Sequence, residues 1–552
     1  MELNFLSYIR QAKVRRYLLN PWVITGFFGT LVIALPLLVI AREIFTPGDE
    51  TWKHILRNLV PGYVMNTIAL MAGVAILTFL MGVSTAWLVT MYRFPGRKFF
   101  IWALILPIAI PGYINGFTWA GILDYTSPLY VFLRQNFGID TGAYLFFDIL
   151  SLPGAILILS LSLYPYVYLI TRAYFLKQST TLFEVAASLG HSPWRTFTRT
   201  ALPLARPAIV AGVSLALMEV LNDYGLVRYF GVDTFTTGIF TAWFAFGSPT
   251  ASMKLSVYLM IFVLALILLE RTQRGQMRYD MLGSHYRPVR KRRLKRWKAI
   301  GAFTISVVPF LFGFLFPLLM LIYWSTFTAG LVLETRFLVL LRNSFLLAAI
   351  ASVLVVVASI FIAFTVRTFP LKFVQFLSRV STLGYAIPGA VVAIGIMVPF
   401  LWLDQQLMQY TPPGTGFILT GTWFALIYAY MVRFMAVGYN SIDSGMARIS
   451  TSLDEAARSL GRSNLKTLGK VNLPLLRGAV LSAALLVFID VLKELPLTLI
   501  LRPFNFDTLA IRAFEFATDE RVAEAAPPAL IIIIVGTIPV YFLNKIIGKG
   551  KL

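Results

Sequence analysis

A run of about twenty apolar residues in lipid has one stable form, the α-helix, because its backbone N–H and C=O groups must bond within the segment. This chain carries twelve such runs, near 22–42, 64–91, 99–121, 144–171, 205–227, 252–270, 300–323, 340–366, 373–402, 416–440, 476–500 and 526–546. Six fall in each half. They predict an all-α polytopic membrane protein of about 12 transmembrane helices. Of the 552 residues, 58% are hydrophobic and 13% charged, more apolar surface than a soluble chain could bury. No small-residue cleavage site follows the first apolar run, which is expected to be retained.

The charges sit between the runs and alternate. Basic segments are the N-terminus (Arg10, Lys13, Arg15, Arg16), 92–98, 172–206, 271–298, 367–372, 441–475 and the C-terminus, whereas acids such as Glu43, Asp49, Asp233, Asp404 and Asp519 mark the intervening loops. Basic loops stay in the cytoplasm, so both termini and the central linker are expected there. The net charge of +23 thus points to the membrane and not to nucleic acid. The run RPVRKRRLKRWK at 287–298 reads as a topology anchor that touches anionic lipid. Without cysteine there is no disulfide framework or thiolate metal site. His54, His191 and His285 lie in loops and read as surface residues, and no metal ligands are assigned.

The two halves repeat each other. MNTIAL at 65–70 answers RNSFLL at 342–347, AIPG at 109–112 answers AIPG at 386–389, MEVLNDYG at 218–225 answers IDVLKELP at 489–496, and VDTF at 232–235 answers FDTL at 506–509. With both halves starting in the cytoplasm, the repeat is parallel, a pseudo-dimer in one chain. The expected domains are 1–270, a basic linker 271–299, and 300–552. Pro111-Gly112 and Pro388-Gly389 are expected to break the third helix of each half.

The longest shared landmark is polar. EVAASLGHSPWRTFTRTALPLARPA at 184–208 is answered by EAARSLGRSNLKTLGKVNLPLLRGA at 455–479, with Glu, Gly, Leu-Pro and Arg at identical spacing. Each copy reads as a helix, a break and a second helix. Thr181 and Ser452 are candidate N-caps with Glu184 and Glu455 at N3. Gly190 and Gly461 are expected to end the first helix, and the Leu-Pro pair is expected to turn the chain toward the next span. The small residues Ala186, Ala187, Ala456 and Ala457 offer a face that another protein could approach closely.

This pattern resembles the EAA loop of permease subunits of type I ABC importers, most closely in EAARSLG of the second half; the first half has Val185 where that family has Ala. The resemblance implies the transmembrane domain fold of that family, fused into one chain. It implies coupling loops at about 178–204 and 449–475, in which Glu184, Ala186, Ala187, Gly190, Glu455, Ala456, Ala457 and Gly461 dock a separate ABC ATPase dimer. It further implies an extracytoplasmic substrate-binding protein as partner and a bacterial inner membrane as location. No GxxxxGK[ST] phosphate loop occurs, so ATP and Mg are expected on the ATPase, with no cofactor and no enzyme site on this chain.

Glu219 and Asp223 are spaced i, i+4, as are Asp490 and Glu494, which predicts one helix face for each pair. Acids inside an apolar span either line a pathway or pair structurally with neighbours, as Lys493 adjoins Glu494, and both readings stand. The tracts around them are similar to segments of ferric-iron permeases of this superfamily. Thiamine permeases, also fused twelve-span chains, are the rival, with polyamine and phosphonate permeases behind them. Fe(III) prefers oxygen ligands, so carboxylates suit it, as they suit other cations. A secondary transporter would leave the doubled loop unexplained.

Overall fold

The computed structural model describes residues 20–137, 148–178, 188–274, 291–332, 334–412 and 418–548. These are helical apart from turns and one pair of two-residue strands. Among the described residues, ten helices are long and apolar enough to cross a membrane, and a bent pair, Arg97–Ala109 with Gly112–Ile122, makes an eleventh if it is one span. The run expected at 416–440 is the 24-residue helix Trp423–Met446. It is long enough to span, but Arg433, Asn440 and Asp443 make it more polar than the rest.

The described residues form two compact units, and each draws on both sequence halves. The first holds 1–47, 252–257 and 338–508; the second holds 48–251, 258–337 and 509–552. The halves 1–270 and 300–552 are therefore units of sequence repetition, while packing exchanges their ends.

In the first unit, helix Pro21–Arg42 packs on Lys372–Ser381 and Gly389–Leu407. Trp22 stacks on Phe361 at 4.9 Å between ring centroids, and the buried hydroxyls of Thr30 and Ser381 meet at 2.9 Å. Lipid offers no hydrogen-bond partners, so polar side chains inside a span must find each other. Helices Trp423–Met446 and Leu473–Leu492 pack along their length behind this group.

The second unit is built around helix Leu152–Lys177, which packs against Val60–Met91 and Leu202–Asn222. Two glycines allow the close approach. A methyl group on Gly82 would lie 2.6 Å from the Val167 Cβ, and one on Gly212 would lie 2.8 Å from the Val167 Cα. Small residues at such crossings replace the hydrophobic drive that lipid removes with tight van der Waals contact. Helices Trp297–Phe310 and Phe316–Phe327 belong to this unit, the first packing on Val60–Met91 and the second on Val522–Gly548.

Candidate functional site: two elbows and two helix breaks

Both Pro-Gly breaks form. A 3₁₀ turn ends at Ala109 or Ala386, Pro111 and Pro388 take nearly identical extended conformations (φ −55°, ψ 146° and 142°), and new helices start at Gly112 and Gly389. The first break bends the chain by 94°. Proline cannot donate to the preceding turn and disfavours helix in the residue before it. Gly112–Ile122 and Gly389–Leu407 are the halves after the break.

The four acids are arranged differently from the expectation. Helix Leu202–Asn222 ends before Asp223, and helix Leu473–Leu492 ends before Glu494. Neither i, i+4 pair shares one continuous helix face. The reason lies in the chain beyond: short helices Gly225–Tyr229 and Pro496–Leu501 follow, and their first N–H groups have no intrahelical acceptor. Asp223 accepts from the N–H groups of Leu226 (3.0 Å) and Val227 (3.2 Å), and Glu494 accepts from Leu497 N–H (3.1 Å). Each acid is drawn off its helix by the same local demand.

Each acid also lies beside its half's Pro-Gly break. A methyl group on Gly112 would lie 3.1 Å from Asp223 Oδ2. In the second half the contact runs through Arg433, which pairs with Glu494 (Nε to Oε2, 3.4 Å) and donates from Nη1 to the carbonyl of Ile387, the residue before Pro388. The break leaves that carbonyl without a helical donor, and the guanidinium fills the place. Arg433 and Glu494 are both buried. Lys493 pairs with Asp490 at 2.9 Å, and Glu219 is half-buried. Among the described residues, no group of three or more His, Asp or Glu side chains is placed to hold a metal ion.

The second elbow is described in full. Helix Thr451–Ser459 is capped by Ser450, whose hydroxyl accepts from Ser452 N–H, and not by Ser452. Glu455 therefore stands beyond N3 and is exposed, free of the capping-box role. The N-terminal boundary moves because Ser450 already takes the extended cap conformation that Ser452 would need. Gly461 ends the helix at φ +74°, with Gly461 N–H bonding to the Arg458 carbonyl and Arg462 N–H to the Ala457 carbonyl. This is the Schellman arrangement, and it favours glycine because an L side chain is strained there. Of the two small residues, Ala456 is exposed while Ala457 is buried, so only the first is open to a partner.

For the first elbow, Thr181, Glu184, Ala186 and Ala187 lie outside the described residues. Gly190 has φ +75°, and Ser192 caps Pro193–Thr196 as Ser463 caps Asn464–Thr467.

The Leu-Pro pairs do not turn the chain. Each sits within one continuous apolar helix, Pro193–Asn222 and Asn464–Leu492. A π turn precedes each pair, at Phe197–Ala201 and Leu468–Asn472, and the Leu202 and Leu473 N–H groups reach back five residues to Phe197 and Leu468. The wider turn accommodates Pro203 and Pro474, which would clash with the carbonyl of a regular α turn.

Sequence reasoning missed two features of the elbows. Leu189 and Leu460 are 71% and 82% exposed, and Trp194 and Leu465 are 73% and 67% exposed. Each pair is related by the same 271-residue offset, so large apolar groups recur at matching points of otherwise polar loops; that recurrence was the available signal. The second feature is Arg367. Its Nε bonds Asp454 (2.6 Å), Nη1 the Met446 carbonyl (2.6 Å), and Nη2 the carbonyls of Ile449 and Ser450 (2.9 and 3.1 Å). Asn472 Nδ2 donates to the other Asp454 oxygen at 3.0 Å. One guanidinium thus fixes the elbow to the end of helix Thr335–Thr368. The first copy has Phe183 in place of Asp454, so this ion pair has no counterpart there.

Comparison with known proteins places the architecture. The sequence profile of the family described as binding-protein-dependent transport system inner membrane component matches residues 28–275 and again 356–551. The chain is 28% identical to the Fe(3+)-transport system permease protein FbpB 2 of Haemophilus influenzae over 523 residues, covering 93% of this chain and 96% of that one. It is 24% identical to the ferric transport system permease protein FbpB of Actinobacillus pleuropneumoniae over 94% of this chain and 77% of the relative. The sulfate transport system permease protein CysW of Escherichia coli is 28% identical over 39% of this chain and 74% of its own length. Two matches of the profile, one in each half, fit the internal repeat and the helical architecture, and the chain belongs to the family of binding-protein-dependent transport system inner membrane components, as a duplicated multi-pass permease of the ABC importer type.

Proposed function

We propose that this permease imports ferric iron, driven by a separate ATPase dimer that docks on the two elbows and supplied by an extracytoplasmic binding protein. The observation that carries the substrate is coverage: ferric permeases match across both halves, whereas the sulfate permease matches over 39% of the chain. The elbows, with exposed Leu189, Trp194, Leu460 and Leu465 beside Glu455 and Ala456, offer the apolar knobs and small residue that a docking groove requires. On this reading the elbows and both termini face the cytoplasm, and the ATP and Mg belong to the ATPase.

The path is expected to pass the acids and the Pro-Gly breaks. Asp223 and Glu494 hold the short helices that follow the spans, while Glu219 and Asp490 are half-buried, Asp490 paired with Lys493, and their charge biases the route toward a cation. A permissive route with weak ligands suits a permease, because affinity resides in the binding protein and the cation must be released.

The test is uptake of labelled Fe(III), thiamine and sulfate into vesicles holding the chain with its ATPase and loaded binding protein. Fe(III) uptake that needs ATP, with no uptake of the other two, is the expected result. Glu219→Gln with Asp490→Asn should slow it while leaving ATPase co-purification intact, and Gly461→Pro should abolish it while membrane insertion persists. Thiamine or sulfate uptake in place of Fe(III) rejects the substrate. Full uptake by Gly461→Pro rejects the docking role.

A further inference from the structure

The second unit contains a cluster of cations outside the candidate site described above. Tyr92-Arg93 runs parallel to Arg292-Arg293 as a two-stranded ladder, extended by a Leu294 N–H bond to the Arg93 carbonyl at 3.0 Å. This fastens the basic linker to the loop after helix Val60–Met91. Arg97, one turn on, donates from Nε to the Val89 carbonyl at 2.7 Å. Arg172 comes from the last turns of helix Leu152–Lys177, one turn past Tyr168, whose hydroxyl donates to the Ile101 carbonyl. Its residue is only 6% exposed, and its Nη1 is buried with no hydrogen-bond partner among the described residues. A buried guanidinium N–H left unpaired is costly and needs an acceptor.

Lys291 shows how close the cations stand. Burial, and then the charges of Arg97, Arg93 and Arg172, push its ammonium below the usual lysine value. Among the described residues, the charges that act on it are three cations. Like charges gathered around a buried, unsatisfied donor are repulsive unless an anion joins them.

We propose that Arg93, Arg97, Arg172 and Lys291 form a site for a phosphate group, and that the phosphate is the headgroup of an anionic phospholipid. The surroundings favour the lipid over a free phosphate. The cluster lies where apolar spans end. Trp297, 82% exposed, begins helix Trp297–Phe310 just after the basic run, and exposed Phe99 and Trp102 follow Arg97 on its own helix. Tryptophan beside basic residues is the composition of a membrane–water interface. A phosphate there would accept from the free Arg172 N–H, and acyl chains would run along Phe99, Trp102 and Phe303. The bound lipid would tie the linker between the halves to the spans on which it folds.

The experiment is native mass spectrometry of the purified full chain, titrated separately with phosphatidylglycerol, phosphatidylcholine and inorganic phosphate. Retention of phosphatidylglycerol over phosphatidylcholine is expected. Arg93→Gln with Lys291→Gln, both on the loop and linker, should weaken it about 25-fold, about fivefold for each cation removed. Arg172→Gln should weaken it too, and Lys53→Gln, an exposed residue paired with Glu50, should leave it unchanged. Equal retention of both lipids, or unaltered affinity in the Arg93/Lys291 double variant, overturns the site. Inorganic phosphate that displaces phosphatidylglycerol at equal concentration supports the phosphate chemistry and overturns the lipid as its source.

Discussion

Replacing Arg367 by methionine should loosen the second elbow without unfolding the spans. The side chains of Arg367 and Asp454 are each about one-tenth exposed, so their ion pair is not a solvated surface pair. The Arg367→Met change would remove the bond to Asp454 and three carbonyl bonds at once, and would leave Asp454 buried with Asn472 as its side-chain partner. Breaking a buried pair from one side costs about 3–5 kcal/mol, mostly the desolvation of the charge left behind. At 1.4 kcal/mol per tenfold, local opening of the elbow should become about 100- to 4000-fold more frequent. Hydrogen–deuterium exchange of a peptide spanning 451–460, measured on the purified full chain, reads that number directly. Arg367→Lys should fall between, since an ammonium keeps the charge but cannot make the planar fork that serves four acceptors. In a double-mutant cycle with Asp454→Asn, the two losses should overlap instead of adding. Exchange in Arg367→Met within threefold of the unaltered chain would refute the clamp.

Two further expectations concern the membrane interior. Gly82→Leu forces a side chain into Val167, where even one carbon lies at 2.6 Å, and should lower thermal stability by about 1–3 kcal/mol in a melting measurement; an unchanged Tm would mean that the two helices part freely. Arg433→Met should reduce folded yield sharply by stranding Glu494, and Arg433→Met with Glu494→Leu should recover most of it, because a buried pair removed whole costs far less than one removed by half; a double variant no better than the single one would show that the bond from Arg433 to the Ile387 carbonyl, and not the ion pair, is what holds the break.

What the sequence determined was local or periodic. Apolar runs of spanning length set the helices. The Pro-Gly dipeptides set both breaks, because proline acts on the residue before it and on its own missing N–H. Gly461 was readable as a helix end for the same reason: the constraint lives in one residue's φ. The doubling was visible as spacing, and spacing survives without knowledge of contacts. The tertiary structure decided matters in which distant residues compete. Helix Pro21–Arg42 could have packed with its own half, yet its Trp22, Thr30 and Val32 find partners between 361 and 428. Asp223 and Glu494 fit a helix pattern, yet the unsatisfied N–H groups of the next short helices took them. The Leu-Pro pairs read as turns, and a π turn absorbed them into straight-through spans. Arg367 read as an orienting charge, and its partner Asp454 lies 87 residues away. In lipid each buried polar group must be matched, and which group matches which depends on helix packing that no local pattern records.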